Sequence, residues 1–266
     1  MPELYYFPTA TCGYKARLTL AEKDVEFTHR VLDRDAGDLV TPEYLAMNPN
    51  AVVPTMVHEG RVLIESSIIM VYTDEAFAGP PLRPRTAIGR ARMADWLKRA
   101  DDRYLPALGA VTYGLFRRKQ ILTKSPEELE AYYLDIPDPD RRAQRRSVVE
   151  NGVDAPIVEG AILALDRMLA DMETALGAHA YLVDGGYGLA DAALTPFVSR
   201  LHELAMDWMW DDRPHVAAWR DTVRDRDSFG TVFDAFPDPR RKAGLRAAGE
   251  ETREAAERIL SGSPCR

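Results

Sequence analysis

The sequence predicts an α/β domain joined by a proline-rich linker to an all-α domain. Three observations carry this. Short strand-like and helix-like segments alternate from the N-terminus to about Phe77. The run Ala78-Gly79-Pro80-Pro81-Leu82-Arg83-Pro84 then breaks any helix. Beyond it, apolar residues recur at helical spacing almost to the C-terminus.

The elements follow in order. Residues 3–8 read as a strand, and 13–23 as a helix with Ala16, Leu20 and Leu18 inward. Glu26–Leu32 has strand character. Val53–Val57 and Arg61–Ile64 read as two strands around the turn His58-Glu59-Gly60, and a helix spans Ser66–Phe77. After the linker, Met93, Trp96, Leu97 and Ala100 share one helical face, as do Ile162, Leu165, Leu169 and Met172. The charged stretch 117–157, broken at Asp135-Ile136-Pro137-Asp138-Pro139-Asp140, predicts a long, partly mobile excursion. From Pro237 the chain reads as a polar surface helix and then a frayed tail. The expected divisions are 1–79, a linker at 80–88, a helical domain at 89–250 and a tail at 251–266.

Composition narrows the function. The chain has 266 residues, 46% hydrophobic and 29% charged, with a net charge of −8. That balance fits a globular protein with a core and argues against nucleic acid or an anionic membrane as partner. No apolar run approaches the ~20 residues that cross a bilayer, and MPELYYF is not a signal pattern. The two cysteines, Cys12 and Cys265, are far apart and make no disulfide framework. These features predict a cytoplasmic location. Zinc-type Cys and His spacings are absent, so no metal is expected. The histidines at 29, 58, 179, 202 and 215 read as surface or packing residues.

Three segments together resemble the glutathione transferase family over roughly residues 3–235. Tyr5-Tyr6-Phe7-Pro8-Thr9-Ala10-Thr11-Cys12-Gly13-Tyr14-Lys15-Ala16-Arg17 is similar to the family's first strand, catalytic loop and basic helix start. Asn48-Pro49-Asn50-Ala51-Val52-Val53-Pro54, with Ile64-Glu65-Ser66, resembles its NPxxxVP and ES motifs. Tyr187-Gly188-Leu189-Ala190-Asp191 is similar to the segment that starts a central helix of its helical domain. The resemblance implies a thioredoxin-like N-terminal domain, an all-helical C-terminal domain, glutathione as co-substrate and a homodimer, for which the helix at 66–77 offers an interface.

It also implies a site. The Val53-Pro54 bond is expected to be cis, leaving the backbone of Val53 to pair with a bound tripeptide as an added strand would. Glu65 and Ser66, at a strand-to-helix junction, suit the ammonium and carboxylate of a γ-glutamyl group. Asp191 is expected to cap its helix rather than to catalyse, with Gly188 where the family has Ser or Thr.

Glutathione chemistry needs a thiolate held near an electrophile. In the serine and cysteine classes the key residue lies five before the basic residue, which here is Ala10. Thr11, and next Thr9, are the candidates to stabilise the sulfur. Cys12 lies three before Lys15, as in the zeta-class isomerases and related reductive dehalogenases. It is open as a nucleophile, as a residue that orients the sulfur, or as packing. Lys15 at the third position after Cys12 excludes a CxxC dithiol cycle. The length, the stretch 120–160 and Tyr181–Asp191 are also similar to bacterial β-etherases.

The second substrate is expected to be a hydrophobic, aromatic electrophile against Tyr6, Phe7, Trp96, Tyr104, Tyr113 and Phe116, with Met206–Trp210 as a cover. The reactions implied are β-aryl ether cleavage, conjugation or reductive dehalogenation, in detoxification or aromatic catabolism. The alternative is a non-catalytic binding or assembly module of the same fold.

Overall fold

A computed structural model describes residues 1–34, 36–136 and 138–262. Strand β1 (Glu3–Tyr6) leads to helix α1 (Thr11–Glu22), β2 (Thr28–Val31), the short α2 (Pro42–Met47), β3 (Thr55–His58), β4 (Arg61–Ile64) and α3 (Ser66–Ala76). The sheet order is β2-β1-β3-β4. β1 and β2 run parallel, and β3 is antiparallel to both β1 and β4. This is the expected α/β order.

The alternation in β1 divides the sheet's two faces. Leu4 and Tyr6 pack with Ala16 and Leu20 of α1, Met56 and Ile69. Tyr5 turns the other way, toward Tyr44, Phe7 and Val53. The β3–β4 hairpin closes over Glu59-Gly60, both at positive φ (51° and 72°), which a type I′ turn demands.

The helices that follow are α4 (Ala87–Arg99), α5 (Leu105–Thr112), α6 (Arg118–Ile121), α7 (Pro126–Leu134), α8 (Pro139–Asn151), α9 (Pro156–Leu176), α10 (Leu189–Glu203), α11 (Pro214–Arg224), α12 (Asp227–Phe233) and α13 (Pro239–Ser261). π-helical turns occupy Ala100–Tyr104 and Tyr113–Arg117. The α9 stripe of Ile162, Leu165, Leu169 and Met172 is fully buried, as its spacing predicts.

Within the excursion at 117–157, α6, α7 and α8 enclose their own core of Ile121, Tyr133 and Val149. One expectation needs correction. Of the expected tail at 251–266, residues 251–261 are the last turns of α13, where Ala256 and Leu260 are buried. Residues 263–266, with Cys265, lie outside the described residues.

Packing divides the chain into two compact units, and the division does not fall at the proline linker. Unit 1 holds 1–101, 175–198 and 217–237, and unit 2 holds 102–174, 199–216 and 238–266. Within unit 1 the sequence-distant α12 seats on α1. Tyr14 stacks on Phe233 (centroids 4.2 Å apart), Arg17 donates to the Val232 carbonyl at 2.7 Å, and Arg226 clasps Glu22 at 2.6 Å. A linear domain boundary misses such contacts because they join residues some 200 positions apart.

Candidate functional site

Strand register builds the site in unit 1. Thr55, the first residue of β3, pairs with Ile64, the last of β4, and with Tyr5 near the end of β1. The chain segments Phe7–Thr11, Val53-Pro54 and Glu65-Ser66 therefore leave the sheet at one end. Three stretches far apart in sequence are brought together by hydrogen-bond register alone.

The loop before β3 is held by buried polar groups. The Asn48 amide donates to the Val52 carbonyl (2.8 Å) and to Thr55 Oγ1 (3.0 Å), and the Tyr44 hydroxyl reaches the same two atoms at 2.6 and 3.0 Å. The Val53-Pro54 bond is cis. The Val53 carbonyl accepts a hydrogen bond from the Cys12 thiol at 3.0 Å.

Helix α1 begins at Thr11 without a side-chain cap, because Ala10 at the N-cap has no acceptor. Thr9 and Thr11 flank Ala10, both half-buried, and Cys12 is the second helical residue. Burial pushes the Cys12 thiol up. The Lys15 charge, the backbone N–H groups of Gly13 and Cys12, and Arg34 pull against it without prevailing. Cys12 in this state is a thiol donor rather than a standing thiolate.

One turn along α1, Lys15 is fully buried and donates to Ser67 Oγ (2.8 Å) and to Asp101 Oδ1 (2.5 Å). Cys12 and Lys15, at i and i+3, share a helix face. That face touches the loop at Val53 and the first turn of α3 at Ser67. Glu65, just before α3, is exposed at φ 68°, a region that costs a non-glycine residue of order 1–3 kcal/mol. Its side chain makes no cap. Ser66 and Ser67 are buried at the helix start. Ser67, Asp101 and Tyr44 were not singled out from sequence, and Lys15 and Asn48 were named as parts of motifs without these contacts. A lysine within an otherwise apolar helix face was the one signal that could have flagged them.

The aromatic residues expected around the electrophile separate. Tyr6 is 0% exposed, its hydroxyl 2.6 Å from His29 Nδ1 and its ring under the Arg17 guanidinium, so it is core and not a wall. Phe7 packs in the Val53–Cys12 cluster under Arg34. Trp96 is buried beneath Arg99. Tyr104, Tyr113 and Phe116 belong to unit 2, all on π-helical turns. Met206, Met209 and Trp210 are buried in unit 2, and Arg253 lies over Trp208, so this segment is packing and not a cover.

The Asp191 carboxylate accepts from the backbone N–H groups of Leu182 (3.0 Å) and Gly188 (3.1 Å) and from the Trp219 indole (2.8 Å). It is a structural cap. A Cβ at Gly188 would stand 2.6 Å from the Leu82 carbonyl oxygen, and this close approach explains glycine where Ser or Thr was expected.

A glutathione S-transferase N-terminal domain model matches residues 4–81, and the C-terminal domain model matches 155–222. The chain belongs to the glutathione S-transferase family. Among its relatives, Protein LigF of a Sphingobium species is 28% identical over 240 residues, covering 87% of this chain and 93% of that protein. The tetrachloro-p-hydroquinone reductive dehalogenase of Sphingobium chlorophenolicum is 26% identical over 240 residues, covering 87% and 96%. The crystal structure of beta-etherase LigF from Sphingobium sp. strain SYK-6 superposes with a TM-score of 0.78 at 25% identity, covering 88% of this chain and 99% of that one. The four-stranded sheet and the mostly helical remainder are the glutathione S-transferase fold. Among the described residues, no group of His, Cys, Asp and Glu is placed to hold a metal ion, and no helix is long and apolar enough to cross a membrane.

Proposed function

We propose that this chain binds glutathione in unit 1 and transfers its sulfur to a hydrophobic aromatic electrophile, with β-aryl ether cleavage as the leading reaction. Conjugation and reductive dehalogenation are the other outcomes of the same attack. One observation carries the reading: the loop at Val53-Pro54 and the strand-to-helix junction at Glu65-Ser66 meet at one sheet end, beside an uncapped helix start. A scaffold has no need of these features together.

The roles follow from the chemistry. The Val53 backbone pairs with the peptide backbone of the cysteinyl residue. Ser66, Ser67 and the N–H groups opening α3 receive the γ-glutamyl carboxylate, and exposed Glu65 holds the ammonium. Thr11, Thr9 and the first N–H groups of α1 favour the sulfur as thiolate. In ether cleavage the sulfur pair forms a C–S bond at the carbon bearing the aryloxy group. The C–O bond breaks, and its pair leaves on a phenolate that takes a proton from solvent. The similarity to a β-etherase and to a reductive dehalogenase supports this substrate class. The working form is taken as a cytoplasmic homodimer, with exposed Ile68 on α3 in its interface, which sedimentation tests.

The test is calorimetric titration with reduced glutathione, with an S-methylated analogue as reference, followed by assay of 2-phenoxyacetophenone for phenol release. Binding in the micromolar to low millimolar range with phenol release is expected. Absence of binding would return the chain to the alternative of a non-catalytic module.

A further inference from the structure

Arg17 is 2% exposed, and among the described residues no carboxylate pairs with it. Its guanidinium donates to two carbonyl oxygens, that of Val232 at 2.7 Å and that of Pro8 at 3.3 Å. The rings of Tyr6, Tyr14 and Phe236 flank it, with centroids 4.9, 5.6 and 5.2 Å away. The titratable groups that feel its charge are Tyr6, Tyr14 and His29, none of them a carboxylate. A buried charge without a counter-charge is costly, and apolar packing serves a core at least as well. What an apolar residue would not supply is the hold on the two carbonyls.

Those carbonyls differ in what they fix. Val232 belongs to α12, which Arg226 already ties to α1 through Glu22. Pro8 belongs to the Phe7–Thr11 loop. There the Phe7 carbonyl accepts from the Ala10 N–H at 3.1 Å, and Arg17 holds the carbonyl of the next peptide. The Pro8-Thr9 peptide is trans, so its N–H points opposite to its carbonyl. Arg17 stands five residues after Cys12, about 140° around α1 at 3.6 residues per turn. The Thr9 N–H is thereby turned away from the α12 side of the helix. A guanidinium on the carbonyl also polarises the peptide and strengthens that N–H as a donor.

We propose that Arg17 is a positioning residue for the sulfur chemistry: through the Pro8 carbonyl it aims and strengthens the Thr9 N–H as a donor to the glutathione sulfur. The inference rests on the transferase reading above and involves unit 1 alone. Lys15 and Arg34, the charges that act on Cys12 beside the same loop, are a separate set. Arg17 touches neither the sulfur nor the electrophile. It acts on a peptide that does.

The test is the ionisation of bound glutathione, followed by thiolate absorbance against pH as the difference from the unliganded protein. Arg17→Gln is expected to bind glutathione with its thiol pKa raised by about one unit, tenfold less thiolate below both values. Arg17→Lys keeps a charge but loses the fork that spans two carbonyls, and about threefold less thiolate is expected. Arg226→Gln is the control. It frees α12 from Glu22 without touching Pro8, so it should lower the melting temperature and leave the thiol where it is. An unmoved thiol in Arg17→Gln overturns the proposal, and so does an equal rise in Arg226→Gln, which would make the effect a general loosening. If Arg17→Gln does not fold, an unmoved thiol in Arg17→Lys overturns it instead. A wild type that binds no glutathione removes the transferase reading and this inference together. Binding with an unmoved thiol removes this inference alone.

Discussion

Helix α10 opens with Asp191 folded back over its first turn, whereas α1 and α3 open on Ala10 and Glu65, whose side chains make no cap. All three starts belong to unit 1. The first is closed: the carboxylate spends its acceptors on Leu182, Gly188 and Trp219, and it is 1% exposed. The other two leave their first N–H groups uncapped where the register of β3 and β4 gathers the loops. A helix start closed by its own chain serves folding, and the proposed function gives the one left open beside a strained, exposed Glu65 to a ligand. The difference predicts that mutations at the two kinds of start separate stability from binding.

The largest expected effect is at the closed start. Asp191→Ala leaves three donors without an acceptor, and unsatisfied buried groups cost about 1–3 kcal/mol each, so a loss of about 4 kcal/mol is expected. Thermal unfolding should show a melting temperature lower by roughly 10 °C. Glutathione affinity, read by calorimetry, should not change. A normal melting temperature would break the comparison at its first term.

The same carboxyl gives a pH signature. Burial pushes it up to about 6 from 3.8, against the hydrogen bonds from Leu182, Trp219 and Gly188. Between those values the folded chain holds a proton that the unfolded chain has released. Asp191 therefore contributes stability that is full below about 3.8 and is lost as pH rises through 6. Two units correspond to about 3 kcal/mol. Unfolding curves of the wild type and Asp191→Asn, taken from pH 4 to 7, should move against the wild type by about that amount. Parallel curves would mean that the carboxyl titrates normally.

These contrasts were only partly legible in the sequence. The strands, α1, α3 and the α9 stripe were legible because local pattern decides them. The Val53-Pro54 and Glu65-Ser66 pairs were picked out by the motifs that carry the family resemblance, and the strand register places both at one sheet end. Lys15 with Asp101, and Asn48 with Tyr44 and Thr55, are tertiary pairings that no spacing encodes. Tyr6 and Met206–Trp210 were misassigned for the same reason: an aromatic residue looks alike in sequence whether it lines a pocket or fills a core. Gly188 looked like a weakened cap until the Leu82 carbonyl beside it showed why no larger residue fits.

At the open start of α3, Glu65 tests the other side. Glu65→Gly removes the carboxylate and admits positive φ at lower cost. The melting temperature should hold or rise slightly, since relief of strain opposes the entropy glycine adds to the unfolded chain. Glutathione affinity should fall about tenfold, some 1.4 kcal/mol, the scale of one charge-assisted contact. A fall in stability with unchanged affinity would make Glu65 a second Asp191, and the open start would not be a ligand site.

The smallest effect is expected at Cys12. Its thiol is committed to the Val53 carbonyl at 3.0 Å, and burial raises it despite the Lys15 charge. A serine hydroxyl can make the same bond to Val53. Both facts favour a residue that fixes the loop over one that attacks. Cys12→Ser is therefore expected to keep glutathione affinity and turnover of an aryl ether within about threefold, below 0.7 kcal/mol. The checks are calorimetry and initial rates on one preparation. A turnover loss beyond about a hundredfold, ~2.7 kcal/mol, with binding intact would assign Cys12 the attack itself.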